Sequence, residues 1–202
     1  MNLSRSGLRP AWTALRAMAV LTLALGLAYP LAVTGAGQLA FAARANGSVA
    51  EVRGVPVGST LIGQSFTDDD GEPLPQWFQP RPSAAGDGYD AGASGGSNLG
   101  PENPELAAAI AERRAQVAEF NGVNPGQVPV EALTASASGL DPHISPEYAL
   151  LQAGRVASAR GLDEARVRGL VQEHAKGRDL GYLGEPTVNV LELNIALDGL
   201  ED

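Results

Sequence analysis

The chain contains no cysteine. A disulfide scaffold and a thiolate metal site are therefore excluded. Aromatic residues make up only 5%, so a core must be built from leucine, valine, isoleucine and alanine. Histidine occurs twice, at His143 and His174, and their separation matches no H-x-x-x-H or H-E-x-x-H metal spacing. Both are read as structural. Lysine occurs once, at Lys176, flanked by Ala175 and Gly177 rather than by a phosphate-binding loop. No Walker A motif exists, so no autonomous nucleotide hydrolase is encoded. The net charge of −9 argues against a partner held by phosphate contacts, and no nucleic acid is expected.

The charge that is present is unevenly spread. Residues 1–16 hold Arg5, Arg9 and Arg16 and no acid, residues 17–43 hold no charge, and the remainder holds 11 basic and 23 acidic residues. As a helix, the 27 uncharged residues would run about 40 Å, against a hydrocarbon core of about 30 Å. A lone span must satisfy its own backbone, which selects a helix. Trp12 and Tyr29 are candidate interface aromatics, and Pro30 is placed to bend the helix or to mark a point near its outer end. Arginines before the span keep the N-terminus in the cytoplasm and put residues from about Leu39 onward outside. Ala40-Phe41-Ala42 also fits a signal-peptide cleavage site, but a signal core runs about 7–15 residues. Length favours a retained anchor.

Beyond the span, residues 44–104 are rich in glycine, proline, serine and aspartate. Short strands are predicted around Ser59–Phe66 and near Trp77. Six glycines between Gly86 and Gly100 mark a loop with little apolar surface to bury. The second half is predicted helical. Leu106, Ala109, Ile110, Val117 and Phe120 repeat with a helical period over Glu102–Phe120. Ser145-Pro146 opens a second helix that Gly161 closes. Asp163 opens a third, with Val167, Leu170, Val171 and His174 on one face. Asn189 and Glu192 have the spacing of a capping box for a fourth, with a strand over Thr187–Leu193 as the rival. The expected fold class is α+β: one N-terminal transmembrane helix, then a single extracytoplasmic domain with short strands and about four helices. The expected division is a cytoplasmic N-terminus at 1–13, the transmembrane helix at 14–36, a linker at 37–57 and the domain at 58–202.

Two motifs invite chemistry. Gly92-Ala-Ser94-Gly-Gly96 matches G-x-S-x-G, but no hydrophobic strand precedes it, and the hydrolase motif works only at a strand-to-helix turn. Asp68-Asp-Asp70-Gly-Glu72 invites calcium, yet its glycine comes fourth, whereas an EF-hand loop needs it sixth. A solvated turn is favoured there, and no metal ligand is assigned. An anchored or secreted serine hydrolase using Ser94, or an anchored extracytoplasmic binding module, are the alternative functions.

Ordered blocks along the whole chain carry a resemblance. They include Ser6–Ala11, Gly58–Phe66, Arg81-Pro-Ser-Ala84, Ala93-Ser-Gly-Gly-Ser-Asn-Leu99, Asn103–Leu106, Leu133-Thr-Ala-Ser-Ala-Ser-Gly-Leu-Asp141 and Val188–Asp198. With these, the chain resembles the C subunit family of the bacterial Kdp potassium-transporting ATPase. The resemblance implies a non-catalytic accessory subunit of a high-affinity ATP-driven potassium uptake complex in the inner (plasma) membrane. It implies a role in assembly and activity, and a raised ATP affinity of the P-type ATPase subunit. The implied partners are that subunit, a channel-like potassium-binding subunit and a small hydrophobic subunit. No cofactor is expected to bind autonomously, and ATP is implied only through the complex. Ser94, Gly95, Gly96 and Ser97 are the expected loop for partner docking or anion contact, since glycines bring backbone amides close to a ligand. The outer location favours docking.

Overall fold

The computed structural model describes residues 5–200. The first four residues of the expected N-terminal segment and the last two of the expected domain lie outside the described residues. The chain divides into two compact units, one ending at Val49 and one beginning at Ala50.

The first unit is nearly all helix: α1 (Arg5–Leu23), a π-helical turn (Ala24–Ala28), α2 (Tyr29–Ala40) and the short α3 (Ala42–Ala45). Pro30 has no amide hydrogen to donate, and the ladder before it widens. Tyr29 N–H reaches back five residues to the Ala24 carbonyl. A π-helical turn thus stands just before Pro30. Phe41 leaves helical geometry, with φ of −142° and ψ of 45°, and ends the long helix. Residues Arg9–Ala40 are long and apolar enough to cross a membrane, and none of this stretch is buried.

The second unit is mixed helix and strand. β1 (Val49–Val52) and β2 (Val55–Ser59) form a hairpin. Its two turn residues, Arg53 and Gly54, have φ of 52° and 77°, the positive values that a two-residue turn matching strand twist requires. The strand predicted over Ser59–Phe66 is therefore displaced. Pairing occurs upstream and stops at Ser59, while Thr60 onward is turn and coil. Residues 37–57, expected as a linker, hold the end of α2, α3, β1 and most of β2.

The helices follow their caps. In α4 (Pro104–Asn121), Asn103 accepts from the Glu105 amide and Gly122 ends the helix with φ of 65°. In α5 (Pro146–Arg160), Ser145 caps through the Tyr148 amide, and Gly161 closes at φ 66°. In α6 (Glu164–His174), Asp163 accepts from the Ala165 amide. In α7 (Val190–Asp198), Asn189 accepts from the Glu192 amide, so the helical reading wins over the strand. The rival reading survives only as two residues. β3 (His143–Ile144) pairs antiparallel with β4 (Val188–Asn189), His143 opposite Asn189 and Ile144 opposite Val188. This small ladder sets the starts of α5 and α7 side by side. Helices α4 and α6 pack against α5, and α7 packs against α6.

The core is aliphatic, as the composition demands. Leu133, Val156, Val167, Val171, Val188, Leu193 and Leu197 are fully buried, as is Phe78, and Tyr148 packs in the same core. No strand forms near Trp77. A turn, closed by the Trp77 N–H on the Leu74 carbonyl at 3.3 Å, leads into Phe78 and Gln79, and side chains from α5 and α7 do the work of a neighbouring strand there. Phe78 N–H donates to Asn194 Oδ1 at 2.9 Å, and Asn194 Nδ2 returns a bond to the Phe78 carbonyl at 3.0 Å. Gln79 N–H donates to Gln152 Oε1 at 2.7 Å, and Gln152 Nε2 returns one to the Gln79 carbonyl at 3.0 Å. Arg155 donates to the carbonyls of Trp77 and Pro75 and stacks 4.3 Å from the Phe120 ring centre. Arg160 donates to the Gln76 carbonyl and sits 4.1 Å from the Trp77 ring centre. Burial brings the Arg155 guanidinium down to about 10, still charged at neutral pH.

Asn194→Ala would strand the Phe78 amide and carbonyl in the core. The expected loss is about 2–5 kcal/mol of stability, measured by urea unfolding of the full chain in detergent. A loss within about 0.5 kcal/mol, typical of a surface change, contradicts the role given to this amide.

Candidate functional site

The predicted loop begins after a 3-10 turn, Ala91–Ala93, whose start is capped by Asp90 accepting from the Gly92 amide. Ser94 and Gly95 then converge on one acceptor. Ser94 Oγ donates to the Ser138 carbonyl at 3.0 Å, and Gly95 N–H donates to the same oxygen at 2.9 Å. Further along, Asn98 adopts φ of 52° and donates its amide to the Gly96 carbonyl at 3.1 Å. Ser94, Ser97 and Asn98 stay exposed, while Gly95 and Gly96 are half-buried.

Beneath the loop the packing is tight. Gly139 has φ of 67°, and a Cβ there would lie 2.7 Å from both the Ala85 nitrogen and the Gly95 carbonyl oxygen. Only glycine fits that backbone and that gap. Ser83 Oγ donates to the Gly139 carbonyl at 2.7 Å while accepting from the amides of Ala85 and Tyr89. Tyr89 takes φ of 55° and donates its hydroxyl to the Arg81 carbonyl at 2.7 Å. Burial pushes that phenol well above its ordinary value, with the Asp141 charge adding to the shift. It therefore remains a hydrogen-bond donor.

Arg81 closes the arrangement. Its guanidinium meets Asp141 at 3.2 Å and the Thr134 carbonyl through two nitrogens at 3.3 and 3.2 Å. Asp141 also accepts from the His143 amide at 3.0 Å, and the His143 ring lies 3.4 Å away. Burial alone would raise the Asp141 carboxyl. The bonds from the His143 ring and amide, with the Arg81 charge, outweigh it and hold the carboxyl below its ordinary value. Three sequence blocks, Arg81–Ala84, Ala93–Leu99 and Thr134–Asp141, thus form one knot that fixes the exposed loop.

The chemistry open to this knot is limited. The Ser94 hydroxyl and the Gly95 amide already serve the Ser138 carbonyl, so they are engaged rather than free for an anion. Ser94 does not sit on a strand-to-helix turn, the context the hydrolase motif requires. His143 belongs to the Asp141 cluster, and His174 Nδ1 lies 3.0 Å from the Leu170 carbonyl within its own helix. Asp68 ties a turn, accepting the Asp70 and Glu72 amides at 3.0 and 2.9 Å. Among the described residues, no group of three or more histidine, aspartate or glutamate side chains is arranged to hold a metal. Sequence reasoning missed Tyr89, whose left-handed backbone leaves no pattern. It also missed Gln152 and Asn194, although each is a polar residue inside an apolar helical stretch.

A family model described as "KdpC: K+-transporting ATPase, c chain" matches residues 11–199. A protein of Kineococcus radiotolerans named potassium-transporting ATPase KdpC subunit is 62% identical over 190 residues, covering 94% of this chain and 93% of its own length. Proteins with the same name are 55% identical in Gemmatimonas aurantiaca, over 96% of this chain and 92% of theirs, and 51% identical in Mycobacterium tuberculosis, over 97% and 100%.

Gly139→Ala is expected to cost at least about 2 kcal/mol, from a left-handed backbone and a close contact together. It should also speed hydrogen exchange at the Gly95 amide, and unchanged exchange there would contradict the packing described. Because the folded Asp141 carboxyl is held low, its stabilisation is complete above the ordinary carboxylate value of about 4 and is lost as pH falls through its folded pKa. Asp141→Asn should lower the thermal midpoint at neutral pH and flatten its fall on acidification. An unchanged pH profile would remove Asp141 from that account.

Proposed function

The chain belongs to the KdpC family, the c chain of potassium-transporting ATPases, and on that footing we propose a single-span accessory subunit that assembles with larger neighbours and does no phosphoryl transfer itself. The observation that carries this reading is the extent of the match. Residues 11–199 take in nearly all of the apolar helix and of the globular unit, which supports reading the two as one subunit.

The proposed orientation keeps residues 1–13 in the cytoplasm, spans the inner membrane with residues 14–36 and exposes the unit at 58–202 on the outer side. Arg5, Arg9 and Arg16 at its N-terminal end, followed by no charge from 17 to 43, support this direction. The proposed partners are a channel-like potassium-binding subunit, a P-type ATPase subunit and a small hydrophobic subunit. The exposed edge of the Ser94–Ser97 loop is the proposed docking feature, since the knot below holds it in one shape before any partner arrives. That rigidity lowers the ordering cost of association. An outer domain and a cytoplasmic nucleotide cannot touch. A raised ATP affinity of the ATPase subunit would therefore pass through a conformational equilibrium shared across the complex. Nothing in the geometry of Ser94 favours a hydrolase.

Affinity capture of the tagged full chain from the membranes of its source cell should bring down a channel-like protein and a P-type ATPase together. Recovery of the chain alone would sink the subunit reading. Orientation is tested separately, on a chain naturally free of cysteine. Ser97→Cys should react with a membrane-impermeant maleimide on intact spheroplasts, and reaction only after permeabilisation would reverse the topology.

A further inference from the structure

A cavity of about 330 Å³ opens between the 65–73 loop, the segment from Pro80 to Ser83 and one face of α4. Its walls are mixed. Pro80, Val117 and Phe120 supply apolar surface, and Arg81, Arg113 and Tyr148 supply donors. No carboxylate is among its described lining residues.

The donors differ in what they have left to give. Arg81 is committed to Asp141 and the Thr134 carbonyl. Arg113 gives one bond, Nη1 to the Leu133 carbonyl at 3.1 Å, and its other N–H groups have no partner among the described residues. Tyr148 is 3% exposed, yet its hydroxyl has no hydrogen-bond partner among the described residues. No buried side-chain polar atom is orphaned among them, so that oxygen must reach the cavity surface. Burial pushes the Tyr148 phenol up to about 12, opposed by the Arg155 charge and aided by that of Glu131. It is a donor at neutral pH. Glu131 acts on it through charge, and its hydrogen bond is to the Ser145 amide at 2.6 Å, not to the Tyr148 hydroxyl.

We propose that this cavity is a carboxylate-binding site, with the free N–H groups of Arg113 and the Tyr148 hydroxyl as donors. A planar guanidinium matches a carboxylate in shape. One uncommitted cation balances one negative charge, which favours a carboxylate over a phosphate dianion. The volume exceeds that of a bare carboxylate, and the wall of Pro80, Val117 and Phe120 takes the carbon chain that carries it. The carboxylate has two sources: an aspartate or glutamate side chain on a partner subunit, or a free small organic acid. The first source rests on the subunit reading above, and the second does not.

The test uses the full chain in detergent, with tyrosine labelled by 13C at Cζ and the Tyr148 resonance assigned by Tyr148→Phe. Propionate is titrated against chloride at constant ionic strength. A saturable movement of the Tyr148 resonance is expected, weakened about tenfold or more in Arg113→Gln. Because Arg113 also holds the Leu133 carbonyl, Tyr148→Phe serves as a second variant: it removes a hydroxyl with no partner among the described residues. It should keep the thermal midpoint while reducing the propionate-dependent rise of that midpoint. The same resonance is then read in the assembled complex. A displaced signal that ignores propionate identifies a partner side chain, and a signal that still titrates identifies a free acid. The site is refuted if propionate moves nothing in the free chain and the resonance is the same in chain and complex. It is equally refuted if phosphate saturates the site and propionate does not.

Discussion

A peptide segment with no strand beside it still has to satisfy every buried amide and carbonyl. Residues from Pro75 to Gln79 meet that demand through side chains. The amides of Asn194 and Gln152 each pair with both backbone groups of one residue, as a neighbouring strand would. Phe78 thereby reaches the centre of the core although its own backbone belongs to no sheet. Arg155 and Arg160 then take the carbonyls upstream. Apart from Tyr148 and Ile144, the rest of the core is alanine, valine and leucine, so its specificity rests less on shape than on these polar fasteners. A buried amide without its partner is costly, which leaves one thread of the chain through the helices.

The same logic runs through the knot under the Ser94–Ser97 loop. Regular structure is sparse between Thr60 and Asn103. Long loops of this kind are ordinarily mobile. Here serine, tyrosine and arginine side chains bind carbonyls from distant turns, and Gly139 admits the closest approach. An exposed loop held this firmly resembles a preformed surface more than a flexible lid.

Much of this was legible in the sequence where local rules decide. Ser145, Asp163 and Asn189 open three helices of the second unit, and each caps through its own hydrogen bond; the helix expected from Glu102 starts at Pro104, behind an Asn103 cap. The strands were less legible. Val55–Ser59 pairs because Arg53 and Gly54 turn the chain, and an arginine with positive φ is not announced by its identity. The region around Trp77 has strand-like residues, yet it lacks a ladder because side-chain amides replaced one. The blocks Arg81–Ala84, Ala93–Leu99 and Thr134–Asp141 were visible as blocks. Their meeting was not, since tens of residues separate them and no periodicity links them.

The widened turn at Ala24–Ala28 has a consequence for whatever lies alongside the apolar helix. An α-helix advances about 100° per residue, and a π-turn adds one residue to the winding. Stripes drawn along α1 are therefore rotated by roughly that angle when they continue into α2. Two ends of one rod present different compass bearings, so a straight neighbour cannot follow a single row of side chains across the join.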